Sequence, residues 1–318
     1  MNKELQIWQF AAERLKKDES IILLVVAEST GSSPGRQGFK MIVARNDLAG
    51  SIGGGVMEVS LVEQARKQSE IQNPKSKIAE QVHQKNSPNS SGMICSGKQT
   101  VIFFELNPAH LKTIREIIYC LENQLPCQLQ ISNSKVQISN SNQNEDFQFE
   151  RLAENEFIYE EKLGYKNKLF IIGGGHCALA LSEIMSKMDF HIALFDDRAD
   201  LNTLAKNEFA DEKKIIESYE KIGEFIEGGS NVYVVVMTLG YKFDEIVIRK
   251  LFDKEFKYFG VLGSKAKMKV LLKSLEKEGF DKKRLNKIRT PIGLAINSHT
   301  PEEIAVSIAA EIIAVKNS

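Results

Sequence analysis

Residues 168–178 read Lys168-Leu169-Phe170-Ile171-Ile172-Gly173-Gly174-Gly175-His176-Cys177-Ala178. The short apolar run has the length of a buried strand, and a helical pattern follows from about Cys177 to Met188. The glycines and Ala178 fit G-x-G-x-x-A at a strand-to-helix junction. In that pattern the first glycine permits the tight turn and the second lets a phosphate approach the backbone. The small last residue lets helix and strand pack closely. Amide groups at the helix start then favour an anion. The next strand, His191 to Phe195, runs into Asp196, where a carboxylate can bond a ribose hydroxyl.

Towards the C-terminus the pattern repeats. Val232 to Met237 and Tyr258 to Leu262 read as strands, each followed by a helical stretch. Strands alternating with helices predict a doubly wound parallel sheet, so residues 167–318 are expected to form a Rossmann-like domain. Gly263-Ser264-Lys265 follows a strand, which puts Lys265 either at the ligand-binding carboxyl edge of the sheet or on the surface with no task. His176 projects from the glycine loop beside the expected phosphate position. Cys177 opens the helix, where the dipole would lower its pKa, although a packing role fits as well. Thr300, Pro301 and Glu303 form a capping box for a last helix whose stripe (Ile304, Ile308, Ile312) faces the sheet.

Towards the N-terminus, residues 1–110 alternate helix and strand signals and predict a second α/β domain. An amphipathic helix (Leu5, Trp8, Ala12, Leu15) precedes a continuous apolar strand, Ile21 to Ala27. Phe39 to Ala44 and Thr100 to Leu106 are further strands, Val56 to about Lys67 is a helix, and residues 71–91 read as polar and loop-rich. Gly53-Gly54-Gly55 precedes that helix and fits either an anion cradle or a tight turn needing positive φ. Cys95 lies in the small-residue loop Gly92 to Gly97, where a thiol is reachable but equally can be inert. Residues 111–166 read as a connecting segment with polar strands. Within it Gln130 to Ser134 recurs as Gln137 to Ser141, a pattern suited to a polar hairpin.

Composition sets the bounds. The 318 residues are 42% hydrophobic and 26% charged, with formal net charge zero, which argues against nucleic acid as a partner. Apolar runs are strand-length, so no membrane span is expected, and the opening residues lack the apolar core of a secretory signal. The four cysteines form no CxxC pair, which suggests free thiols and a cytoplasmic location; Cys120 and Cys127 are expected in the core. The five histidines show no zinc-site spacing. A homodimer is the default oligomer for such a chain.

Taken together, several of these stretches resemble the XdhC/CoxI family. In the first half they are Gly31-Ser32-Ser33-Pro34, Gly50 to Gly55 with Glu58, and the Gly92-to-Gly97 cysteine loop. In the second half they are Gly173 to His176, Asp196-Asp197-Arg198, Asp244-Glu245, Gly260 to Lys265, Pro291 to Leu294, and Thr300 to Ile313. The chain departs from the usual pattern at Ser96, at Leu239 where many members have histidine, and at Gly35 before Arg36. The resemblance implies an N-terminal XdhC-type α/β domain and an accessory protein rather than an enzyme. Such a factor binds molybdenum cofactor (molybdopterin), protects it and presents it to a cysteine desulfurase for sulfuration. It then delivers the cofactor to the molybdenum subunit of a xanthine dehydrogenase-type enzyme. Gly53, Gly54, Gly55, Glu58, Cys95, Gly173, Gly175, His176, Asp196 and Lys265 are the cofactor-binding candidates, with Cys95 the metal ligand. The alternative is an NAD(P)-dependent oxidoreductase using the Rossmann site. Asp196 would then select NAD, while Arg198 could accommodate a 2′-phosphate. No Tyr-x-x-x-Lys pair or similar hydride-transfer set accompanies it.

Overall fold

A computed structural model describes residues 3–71, 74–82, 97–133, 135–140, 145–164, 167–188 and 190–318. The chain forms two compact units, Met1–Gly164 and Tyr165–Ser318.

The first unit contains α1 (Lys3–Leu15), β1 (Ile21–Gly31), β2 (Lys40–Val43), β3 (Leu48–Gly50), α2 (Gly55–Ser69), β4 (Lys77–Val82) and β5 (Gly97–Leu106). It continues with α3 (Leu111–Glu122), β6 (Cys127–Ser132), β7 (Lys135–Asn140), β8 (Phe147–Arg151) and β9 (Phe157–Leu163). Two antiparallel sheets result, in the orders β3-β2-β1-β5-β4 and β7-β6-β9-β8. β1 is central and buried on both faces, which is why it reads as an unbroken apolar run. Ile21, Leu23 and Val25 pack with α1, α3 and the second sheet, while Ile22, Leu24 and Val26 pack with α2.

Three expectations are corrected here. Residues 111–164 do not merely connect: α3 and the second sheet share one core with α1 and β1. Lys77–Val82, expected as loop, forms an edge strand; pairing among the described residues only with β5, it needs no continuous apolar run. Cys120 and Cys127 are joined in a disulfide rather than free, because the end of α3 turns back directly into β6. The polar repeat does form the β6–β7 hairpin, with Gln130 opposite Gln137.

The second unit contains β10 (Asn167–Ile172), α4 (His176–Met185), β11 (Phe190–Asp196), α5 (Asn202–Ala205), β12 (Glu212–Ile215) and β13 (Gly229–Val236). After these come α6 (Tyr241–Leu251), β14 (Phe256–Val261), α7 (Lys265–Lys277), α8 (Lys282–Leu285) and α9 (Pro301–Lys316). All five strands are parallel, in the order β12-β11-β10-β13-β14. This is the expected doubly wound sheet, with α4 and α9 in the core on one face and α6 and α7 in the core on the other. The α9 capping box forms as read: Thr300 Oγ1 accepts from the Glu303 amide, and Glu303 accepts from the Thr300 amide. Strand order reverses at β10, which lies between β11 and β13, and ligands of such sheets bind at that switch point. Among the described residues no helix is long and apolar enough to cross a membrane.

Candidate functional site

In the first unit two loops meet on one buried side chain. Gln99, on β5, is fully buried. Its Oε1 accepts from Ser33 Oγ at 2.9 Å and from the Gly35 amide at 3.3 Å, and its Nε2 donates to the Ile52 carbonyl at 3.0 Å. Gly53 has φ +127°, and a Cβ there would lie 2.4 Å from the Gly35 nitrogen, so only glycine lets the two loops pack. Gly97 closes the third side: a Cβ on it would lie 2.7 Å from the Ser33 nitrogen. Gln99 carries no signal in the sequence, since nothing distinguishes it from an ordinary polar strand residue.

Glu58, on α2, folds back over the glycine loop. Its Oε2 accepts from Ser51 Oγ at 2.7 Å and from the Ile52 and Gly54 amides at 2.9 Å each. Partial burial pushes its pKa up, but the bonds from Ser51, Ile52 and Gly54 prevail and hold it below the ordinary carboxylate value. The inner cradle expected for a bound anion is therefore filled by the protein's own carboxylate. Gly54 and Gly55 still face open space. Cys95 lies outside the described residues, as do Gly92 to Ser96 around it; the described chain resumes at Gly97, against Ser32 and Ser33.

In the second unit Gly173 has φ +104°, and a Cβ there would lie 2.3 Å from the Met237 carbonyl oxygen, so β10 and β13 meet closely at their carboxyl ends. The Gly174 amide donates to Asp196 Oδ2 at 2.6 Å. Arg198 binds the same carboxylate three times: its amide and Nε reach Oδ1 at 2.9 Å each, and Nη2 reaches Oδ2 at 2.8 Å. Burial pushes the Asp196 pKa up, yet the bonds from Arg198 and Gly174 outweigh it and leave it lowered. Tyr219, itself buried, lies close enough for Asp196 and Asp197 to help raise its pKa, after burial.

His176 and Lys265 are exposed at the first turns of α4 and α7, and Gly175 faces open space. The Cys177 thiol is raised rather than lowered, because burial and the nearby Glu302 outweigh the bond from its own backbone amide. Asp244, in the first turn of α6, is buried and accepts from Thr238 Oγ1 at 2.6 Å. Burial carries its pKa up to about 6 despite that bond. In the sequence it stands out only as part of a family motif, with no sign of this chemistry. Leu239, beside Thr238, is 74% exposed at this edge.

Among the described residues no group of three His, Cys, Asp or Glu side chains could hold a metal ion. An open groove of about 720 Å³ along α3 is lined by Leu111, Tyr119, Leu125 and Ile138 among others, and includes no residue of the glycine loops.

Residues 169–312 match the family model of the XdhC Rossmann domain, and residues 14–75 match that of the XdhC and CoxI family. Across 99% of its length the chain is 21% identical to YqeB, an uncharacterised protein of Escherichia coli K12, covering 47% of that protein. A protein of Bacillus subtilis described as a probable xanthine dehydrogenase subunit is 29% identical over 156 residues, 49% of this chain and 45% of that one. The matched stretch is thus less than half the length of each of these relatives. The fold is shared with a crystal structure described as a xanthine dehydrogenase from Bacillus halodurans. That match has a TM-score of 0.74 and 20% identity, covering 100% of this chain and 96% of that one.

Proposed function

Because this chain belongs to the XdhC and CoxI family, we propose that it serves as an accessory factor for a xanthine dehydrogenase-type molybdenum enzyme. Its cargo is molybdenum cofactor, which it holds, shields, presents to a cysteine desulfurase and passes to the enzyme's molybdenum subunit. One observation carries this reading: the family's glycine and serine loops converge on Gln99, where the chain emerges from the Cys95 segment.

The residues suit such a cargo in distinct ways. Cys95 offers a thiolate, a soft ligand for a thiol-bound metal centre. The outward-facing backbone at Gly55, at the start of α2, is suited to a phosphate group. Glu58 then acts as a positioning residue, since its carboxylate is committed to shaping the loop. His176, Gly175 and Lys265 offer a second polar edge on the Rossmann-like unit.

The test is anaerobic incubation of the full chain with molybdenum cofactor, followed by fluorometric assay of retained, oxidised pterin. Near-stoichiometric pterin on wild type and a marked loss in Cys95→Ala support both the cargo and the thiol's role. Equal retention removes Cys95 from the site, and no retention by folded wild type refutes the carrier function.

A further inference from the structure

A Rossmann-like unit with a glycine loop and an acid at the end of its second strand implies a nicotinamide dinucleotide. The residues do not fit one. Dinucleotide binding requires a loop amide free to face the pyrophosphate and a carboxylate with acceptor capacity left for ribose hydroxyls. A carboxylate offers about four acceptor sites, and Asp196 receives four bonds: two on Oδ1 from Arg198, and one each on Oδ2 from Gly174 and Arg198. It has no exposed surface. Arg198, the candidate partner for a 2′-phosphate, is turned onto the same carboxylate through Nε and Nη2.

We infer that Asp196 is an internal anion for its own glycine loop, clasped by Arg198, and that this unit takes neither NAD(H) nor NADP(H) through that loop. A pyrophosphate entering at Gly174 would have to displace an ionised carboxylate from its amide and meet like charge beside it. Glu58 performs the same office in the first unit, where it accepts from the Ile52 and Gly54 amides. This inference is independent of cofactor carriage.

Two measurements on the full chain test it. In the first, NADH and NADPH fluorescence is followed on titration with protein; wild type is expected to show no saturation up to about 1 mM nucleotide. In the second, the Gly174 amide is followed by NMR as pH falls. The charged and titratable groups around Asp196 are Arg198, Asp197 and Tyr219. The amide resonance is expected to lie downfield and to move with the Asp196 titration, below the usual carboxylate range, and the movement is expected to vanish in the near-isosteric Asp196→Asn variant. Saturable binding of either nucleotide overturns the inference. So does a Gly174 amide indifferent to pH, or one whose titration survives in Asp196→Asn.

Discussion

Lys40 lies between two carboxylates, 2.6 Å from Glu161 and 2.8 Å from Glu4, with 3% of its side chain exposed. Burial works against its charge, but both acids outweigh burial and raise its pKa. Glu161 is equally buried and also accepts from Tyr159. Removing one partner of such a pair leaves a charge stranded, so Lys40→Met is expected to cost about 3–5 kcal/mol in urea denaturation. Adding Glu161→Gln should recover much of that loss; an unrecovered loss would assign the cost to packing.

Asp244 makes the opposite kind of contribution. Its folded pKa of about 6 lies above the ordinary value of 3.8. Its contribution is therefore fully present below the unfolded value and is lost as pH rises through about 6. Asp244→Asn should gain on wild type by about 2–3 kcal/mol between pH 4 and pH 7.5, and parallel stability profiles would refute this. At this scale the sequence is only half informative. It puts Glu58 and Asp196 beside the right loops, but a carboxylate bonding its own loop and one awaiting a ligand look identical in sequence. Gln99 gives no signal, because its burial arises from two loops distant along the chain.

Among the elements, legibility follows burial. β10, β11, β13 and β14 are readable because parallel strands in a covered sheet become apolar runs. The edge strand β12 is exposed along its length and carries the charged stretch Glu212-Lys213-Lys214, and β4 is nearly as polar, so neither announces itself. The disulfide is hidden from the sequence because its two cysteines are brought together only by the turn between α3 and β6. Cross-linking so short a loop is expected to contribute about 2 kcal/mol by chain entropy. Reduction with a dithiol should lower the denaturation midpoint of wild type and leave a Cys120→Ser/Cys127→Ser variant unmoved. Equal midpoints for reduced and oxidised wild type would remove the disulfide from the stability of this unit.

At the scale of the molecule, the boundary near Lys166 is legible from the change of pattern, and it falls within two residues of the division between Gly164 and Tyr165. Among the described residues, each sheet and each core cluster is built from one unit's residues. Residues 165–318 expressed alone should therefore give a cooperative thermal transition with a mixed helix–strand circular dichroism spectrum. A broad, non-cooperative melt would mean that this unit depends on the first.

β1 sets a schedule for synthesis of the first unit. It pairs with β2 nearby, but its other edge waits for β5, from Ile21 opposite Leu106 to Gly31 opposite Gly97. At about 5–20 residues per second, the ribosome leaves that apolar edge open for several seconds before its partner emerges. A central strand in the finished protein is thus an edge strand during translation, and the nascent chain is open to mis-pairing until β5 arrives.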